Sequence, residues 1–130
     1  MRSDYSYTVT YIPEGLYVEA VLHGEFNIDA VIELRENILA ELNASGSNRT
    51  FYDFRDANIA QITFDAIRAA DVSQYPQVAD KIVFVYETPF QLAVARQLTS
   101  FANHQPDPDR LLFTADESEA RTWVTADINS

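Results

Sequence analysis

The chain has 130 residues, with twenty acids against nine bases and a formal net charge of −11; that is the size of one domain, with a charge that excludes a broad basic surface for nucleic acid or anionic lipid. A 47% hydrophobic and 12% aromatic composition excludes general disorder. The absence of cysteine and a total of three glycines exclude a disulfide framework, a thiolate metal site, a cysteine nucleophile and glycine-rich phosphate loops.

The N-terminus lacks an apolar signal core, and no run approaches the ~18 apolar residues of a membrane span. A soluble, cytoplasmic protein without membrane insertion is expected, as one domain over 1–130 with its core at about 5–126. Tyr5, Tyr7, Val9 and Tyr11 alternate with Ser6, Thr8 and Thr10, which is a strand period. Pro13-Glu14-Gly15 suits a turn, with the glycine at a positive φ. A second strand over Leu16–His23, with Leu16, Val18, Ala20 and Leu22 on one face, closes an antiparallel hairpin. Ile28, Val31, Ile32, Ile38, Leu39 and Leu42 then recur at helical spacing, with Glu33, Glu36 and Glu41 on the solvent stripe. Asn27 is its N-cap, Phe26 and Val31 its hydrophobic staple, and Gly46 its stop.

Arg49–Arg55 reads as the third strand. Thr63 caps the next helix, stapled by Ile62 and Ile67 and ended by Pro76. Lys81–Glu87 is the most continuously apolar strand and belongs at the centre of a covered sheet. Thr88-Pro89-Phe90-Gln91 is a capping box with proline at the first helical position, opening a helix that runs to about His104 before the loop Gln105–Asp109. Leu111–Thr114 is a short fifth strand, and Asp116–Glu119 opens a last helix through Trp123 and Val124. The order β-β-α-β-α-β-α-β-α predicts an α/β fold: one mostly parallel five-stranded sheet, covered by about four helices, with the N-terminal antiparallel hairpin at its edge.

The carboxyl ends of parallel strands are where ligands and partners meet such a sheet. They supply Asp53, Arg55, Asp56 and Asn58, then Glu87 and Thr88, then Thr114, Asp116 and Glu117. Read functionally this is a polar binding rim; read plainly it is caps, strand-end salt bridges and solvated acids. The acids resemble a cation site, but Lys81 begins a strand instead of following one, and neither metal nor cofactor is expected. His23 and His104 are the two imidazoles, without an HExxH or GxSxG pattern around them. The tyrosine face of Tyr5, Tyr7 and Tyr11, extended by Tyr17, either packs under a helix or offers a surface to a second subunit. Trp123 anchors the last helix, and Ala66, Ala69 and Ala70 allow close helix approach.

Taken together, these pieces resemble the SpoIIAA-like, or STAS/SEC14-like, proteins. The resemblance is carried by the hairpin Tyr7 to Gly24, the strand end Phe51-Tyr-Asp-Phe-Arg55, the central strand Lys81-Ile-Val-Phe-Val, the helix start Phe90-Gln-Leu-Ala-Val-Ala-Arg96 and the closing Asp116-Glu-Ser-Glu-Ala120 before Trp123. It implies a domain for regulated protein contact, with no catalytic residues. In the anti-sigma-factor antagonist branch a Ser-Gly pair at the second helix's start is phosphorylated. Here Ile62-Thr63-Phe64 stands there, without the glycine. Thr63 is then the candidate phosphoacceptor, or a plain N-cap. The expected function is a non-enzymatic regulatory or protein-interaction module that binds an unidentified protein through Asp53, Arg55, Asp56, Asn58, Thr63, Glu87, Thr88 and Phe90, with a homodimer through the tyrosine-rich hairpin. The alternative is a small-molecule or lipid-like carrier with an apolar cavity lined by Phe64, Phe90, Val94 and Phe101. A third reading is a hydrolase using His23 or His104 with strand-end carboxylates.

Overall fold

In the computed structural model, which describes residues 5–63, 65–66, 81–100 and 110–126, five strands lie in the sheet in chain order. These are β1 (Tyr5–Ile12), β2 (Tyr17–Glu25), β3 (Arg49–Asn58), β4 (Lys81–Val85) and β5 (Leu111–Thr114). The helices are α1 (Ile28–Ser45), α2 (Pro89–Ser100) and α3 (Glu117–Thr125). β1 and β2 pair antiparallel and all later neighbours pair parallel. The expected helix after Thr63 opens at Asp65–Ala66, where the Ala66 N–H donates to Thr63 Oγ1 at 3.1 Å. Phe64, Ile67, Ala69, Ala70, Pro76, Phe101, His104 and the loop Gln105–Asp109 lie outside the described residues.

Alternation divides the core into two layers. Val18, Ala20, Leu22, Phe54, Ile82 and Phe84 face Ala30, Leu34, Ile38 and Leu42 of α1 and Val94 and Ala95 of α2. Tyr17, Phe51, Val83 and Val85 face Ala120 and Val124 of α3. Both faces of β4 are therefore covered, which is why its residues run apolar without a break. On the α1 face, Tyr52, Phe84 and Phe113 stack across three strands at 4.8 and 5.2 Å between ring centroids.

Local signals hold the helices where the sequence places them. The Ala30 N–H donates to Asn27 Oδ1 at 2.9 Å, and Gly46, at φ 75°, returns its N–H to the Leu42 carbonyl. Asp116 accepts from the backbone of Ser118 and Glu119 at the start of α3. The far end of α3 carries no basic residue of its own. Cations from the sheet serve it instead: Arg49 donates to the Val124 and Ala126 carbonyls at 2.8 and 2.7 Å, and Lys81 to Trp123 and Ala126 at 2.8 and 3.2 Å. Positive charge at a helix C-terminus is stabilising, and the Lys81 ammonium also lies 4.7 Å from the Trp123 ring centre.

The hairpin departs from expectation in three ways. The turn spans residues 13–16, so Leu16 is an exposed turn residue and β2 starts at Tyr17. The positive φ falls on Leu16, at 59°, and not on Gly15. Gly15 is needed for space, because a Cβ there would meet the Tyr17 ring at 2.5 Å and Thr125 Cγ2 at 2.6 Å. Third, the shift turns Tyr17 to the face opposite Tyr5, Tyr7 and Tyr11, where its ring packs 5.9 Å from Phe51. The remaining tyrosines pack under α1: Tyr5 lies 5.0 Å from Phe26, and both Tyr5 and Tyr7 hydroxyls donate to Glu33, at 3.2 and 2.6 Å. Glu33 is therefore a tyrosine acceptor as well as a solvent-stripe acid. Burial, and then the Glu33 carboxylate, push the Tyr7 phenol up to about 12.

The capping box at α2 does more than cap. Gln91, 5% exposed, accepts at Oε1 from the backbone N–H groups of Glu87 and Thr88, at 2.7 and 3.1 Å. Its Nε2 donates to the carbonyls of Phe54 and Ala57, both at 2.9 Å. Four backbone groups thus depend on one side chain. Gln91→Ala is expected to destabilise the fold by about 3 kcal/mol, since buried donors and acceptors lose their partners. Gln91→Glu, which retains the acceptor but removes both donors, should also destabilise; chemical denaturation of the two variants checks this, and a loss under ~0.5 kcal/mol for both would refute it.

Candidate functional site

The polar ends of the parallel strands come together through an irregularity in β3. Val21 pairs with Asp53, yet His23, two residues on, pairs with Asp56, three residues on. One extra residue has entered β3, a bulge that bends the strand and redirects its side chains. Phe54 and Ala57, three apart, both reach the α1-side core in consequence. Asp56 is brought beside His23, with Nδ1 to Oδ2 at 2.6 Å.

An open cleft of about 310 Å³ results at the ends of β2, β3 and β4, lined by Val21, His23, Asp53, Arg55, Asp56 and Glu87. Its floor is an ionic network. Arg55 donates to Asp53 Oδ1 through its backbone N–H and Nε, at 3.1 and 3.0 Å, and to Oδ2 through a terminal nitrogen at 2.8 Å. The same guanidinium reaches Glu117 at the start of α3, at 2.6 Å. Glu117 in turn accepts from Arg121 at 2.8 Å, and Arg121 spans to Glu19 at 2.7 Å and the Tyr17 hydroxyl at 2.7 Å. The Arg121 guanidinium lies 4.5 Å from the Phe51 ring centre, a cation–π contact.

Burial, the largest influence on Asp53, raises its carboxyl's proton affinity, but the Arg55 bonds and nearby Arg121 outweigh it and leave the group below its ordinary value. Arg121 and then Arg55 hold Glu117 below its own. Both guanidinium groups are pushed upward, Arg55 chiefly by Asp53, and Arg121 by its partners Glu117, Glu19 and Tyr17 against burial.

Of the eight residues expected to bind a partner, the cleft unites Asp53, Arg55, Asp56 and Glu87. Asp53, 9% exposed, and Arg55 are committed to the network, whereas Asp56 and Glu87 are exposed. Asn58 closes a turn by accepting from the Ala60 N–H at 3.0 Å. Thr88 caps α2, accepting from the Gln91 N–H at 3.2 Å. Thr63 is exposed at its helix start. Phe90 is 50% exposed and points out from the first turn of α2, while Val94 is buried in the core. Phe64 and Phe101, expected with them to line an apolar cavity, lie outside the described residues. Thr114 donates to Glu119 and accepts from the Asp116 N–H.

The sequence signals missed were the partnership of His23 with Asp56 and the roles of Glu19 and Arg121. His23 stands at a strand end, and parallel pairing of β2 with β3 brings it level with the end of β3; the bulge that selects Asp56 has no sequence signature. The residues that line the cleft include no serine, threonine or cysteine to act as nucleophile beside His23. Among the described residues no group of three or more His, Asp or Glu side chains could hold a metal ion, and no helix is long and apolar enough to cross a membrane.

The fold is similar to that of the crystal structure of an uncharacterized protein from the DUF3478 family, with a SpoIIAA-like fold, from Shewanella loihica PV-4. The TM-score is 0.56 at 13% sequence identity, over 95% of this chain and 98% of that one. The fold is therefore SpoIIAA-like. No protein-family model matches the sequence, and no curated protein matches it.

The network carries a pH dependence. Asp53 and Glu117 are held below their unfolded values of about 4. Their contribution is fully present above about pH 5 and is lost as the pH falls through the folded values. Asp53→Asn should be less stable by about 1–3 kcal/mol at neutral pH and should show a flatter decline in unfolding midpoint between about pH 5 and pH 2. A decline as steep as the wild type's would place the acid sensitivity elsewhere.

Proposed function

We propose that this protein is a non-enzymatic regulatory module of the STAS-like type, acting in the cytoplasm, that binds a protein partner at the carboxyl ends of its parallel strands. The observation that carries the reading is the open strand-end cleft with two exposed carboxylates, Asp56 and Glu87, at its wall. Three residues beyond Glu87, Phe90 offers an exposed aromatic ring, and large exposed aromatics are characteristic anchors of protein interfaces. The ionic network beneath fixes the floor, so a partner meets a preformed surface and loses little free energy to ordering it.

A basic side chain of the partner suits Asp56 and Glu87, and an apolar pocket suits Phe90. Thr63, exposed at the start of its helix, is the position where a phosphate would act. There it would meet the favourable end of the helix dipole.

Affinity purification of the wild type alongside an Asp56→Ala/Glu87→Ala double variant and a Phe90→Ala variant tests this. The partner recovered by the wild type is then purified and titrated. Each variant is expected to weaken binding by about tenfold or more, with the acidic pair's contribution diminishing at high salt. A recovered partner whose affinity neither change affects would remove the strand-end face from the interaction.

A further inference from the structure

The two edges of the sheet differ in how they are protected. β5 has four residues, Leu111–Thr114. Short length is a usual way of discouraging pairing at an edge. β1, at the other edge, has eight residues, Tyr-Ser-Tyr-Thr-Val-Thr-Tyr-Ile, with no charge and no proline. Its register against β2 runs unbroken from Tyr5 opposite Gly24 to Ile12 opposite Tyr17, so no bulge turns the edge aside. Within the described sheet no strand pairs with its outer side. Such an edge is a template for a further strand.

We infer that β1 pairs antiparallel with β1 of a second copy of this chain, forming one continuous sheet across a two-fold axis. Self-pairing suits this strand because a two-fold axis perpendicular to the sheet makes the neighbours antiparallel and keeps each face on its own side. Directly opposed residues share a face, so the axis must pass through a residue and not between two. Centred on Thr8, it sets Tyr5 against Tyr11, Ser6 against Thr10, Tyr7 against Val9 and Thr8 against its own copy. These are aromatic, aromatic–β-branched and hydroxyl pairs, the kinds that stabilise neighbouring strands. Each copy carries a net charge of −11, which opposes association in general. An eight-residue strand without charge is where two copies can approach at least electrostatic cost. The contact runs through the backbone edge, since the rings of Tyr5 and Tyr7 pack under α1 beside Phe26. It is separate from the strand-end cleft and does not rest on the function proposed for it.

Sedimentation equilibrium of the full chain tests the pairing. The wild type is expected at twice the monomer mass at high-micromolar concentration. Thr8 is exposed, so Thr8→Lys and Thr8→Glu should retain the wild-type circular dichroism. Each should be monomeric alone because like charges oppose across the axis, and an equimolar mixture of the two should recover the dimer. The chain contains no cysteine, so Thr8→Cys reports the register directly: opposed Cα atoms in an antiparallel pair lie within disulfide range, and mild oxidation should yield a covalent dimer. A wild type at monomer mass overturns the inference, and so does a Thr8→Lys variant that stays dimeric. Asp56→Ala/Glu87→Ala should leave the mass unchanged, which separates this test from that of the strand-end face.

Discussion

The extra residue in β3 and the side chain that accommodates it govern the rest of this molecule. A bulge interrupts the ladder and leaves backbone groups in need of partners, and a buried carbonyl without one costs about 1–3 kcal/mol. Gln91 donates to the carbonyls of Phe54 and Ala57 on either side of the irregularity, while its oxygen accepts from the two N–H groups that open α2. A single amide thus joins the end of β3 to the start of α2. With that link in place, the chain can put Phe54 and Ala57 into the same core and still bring Asp56 beside His23.

Electrostatics then distribute the chain's excess acid. Asp53, Glu117 and Glu19 are not loose surface charges but alternate with Arg55 and Arg121 in a network joining β2, β3 and α3. Such partly buried pairs gain from several bonds on each guanidinium, which an isolated surface pair lacks. α3 is held at both ends: Asp116 and Glu117 stand at its start, and Arg49 and Lys81 reach its last carbonyls from the beginnings of β3 and β4. Lys81, which as a strand-end cation would have suggested chemistry, is a helix-end cation at the opposite end of the sheet from the cleft.

A shared fold does not convey a function, and at 13% identity the likeness to a SpoIIAA-like structure concerns architecture. The packed ring stack of Tyr52, Phe84 and Phe113 occupies the α1 face, and Phe90 is half exposed. Within the strand-end cleft the same residue types divide by burial. Asp53 and Arg55 build the floor, and Asp56, bonded to His23, and Glu87 stand exposed at the wall.

Most of the architecture was legible because its signals are local. Asn27, Thr63, Thr88 and Asp116 cap helices by reaching two or three residues along the chain, so their roles can be read from neighbouring letters. Strand alternation and the unbroken apolar run of β4 likewise report burial without knowledge of partners. The turn differs from expectation because a glycine's absent side chain signals a positive φ and a lack of space equally. Gly15 needs the space while Leu16 takes the φ, and that single step moved Tyr17 to the other face of the sheet. The site was legible only as a set of polar strand ends. Which of those groups pair, which stay exposed, and that His23 and Arg121 join them depend on register and on a bulge, and both are set by contacts between residues far apart in the chain.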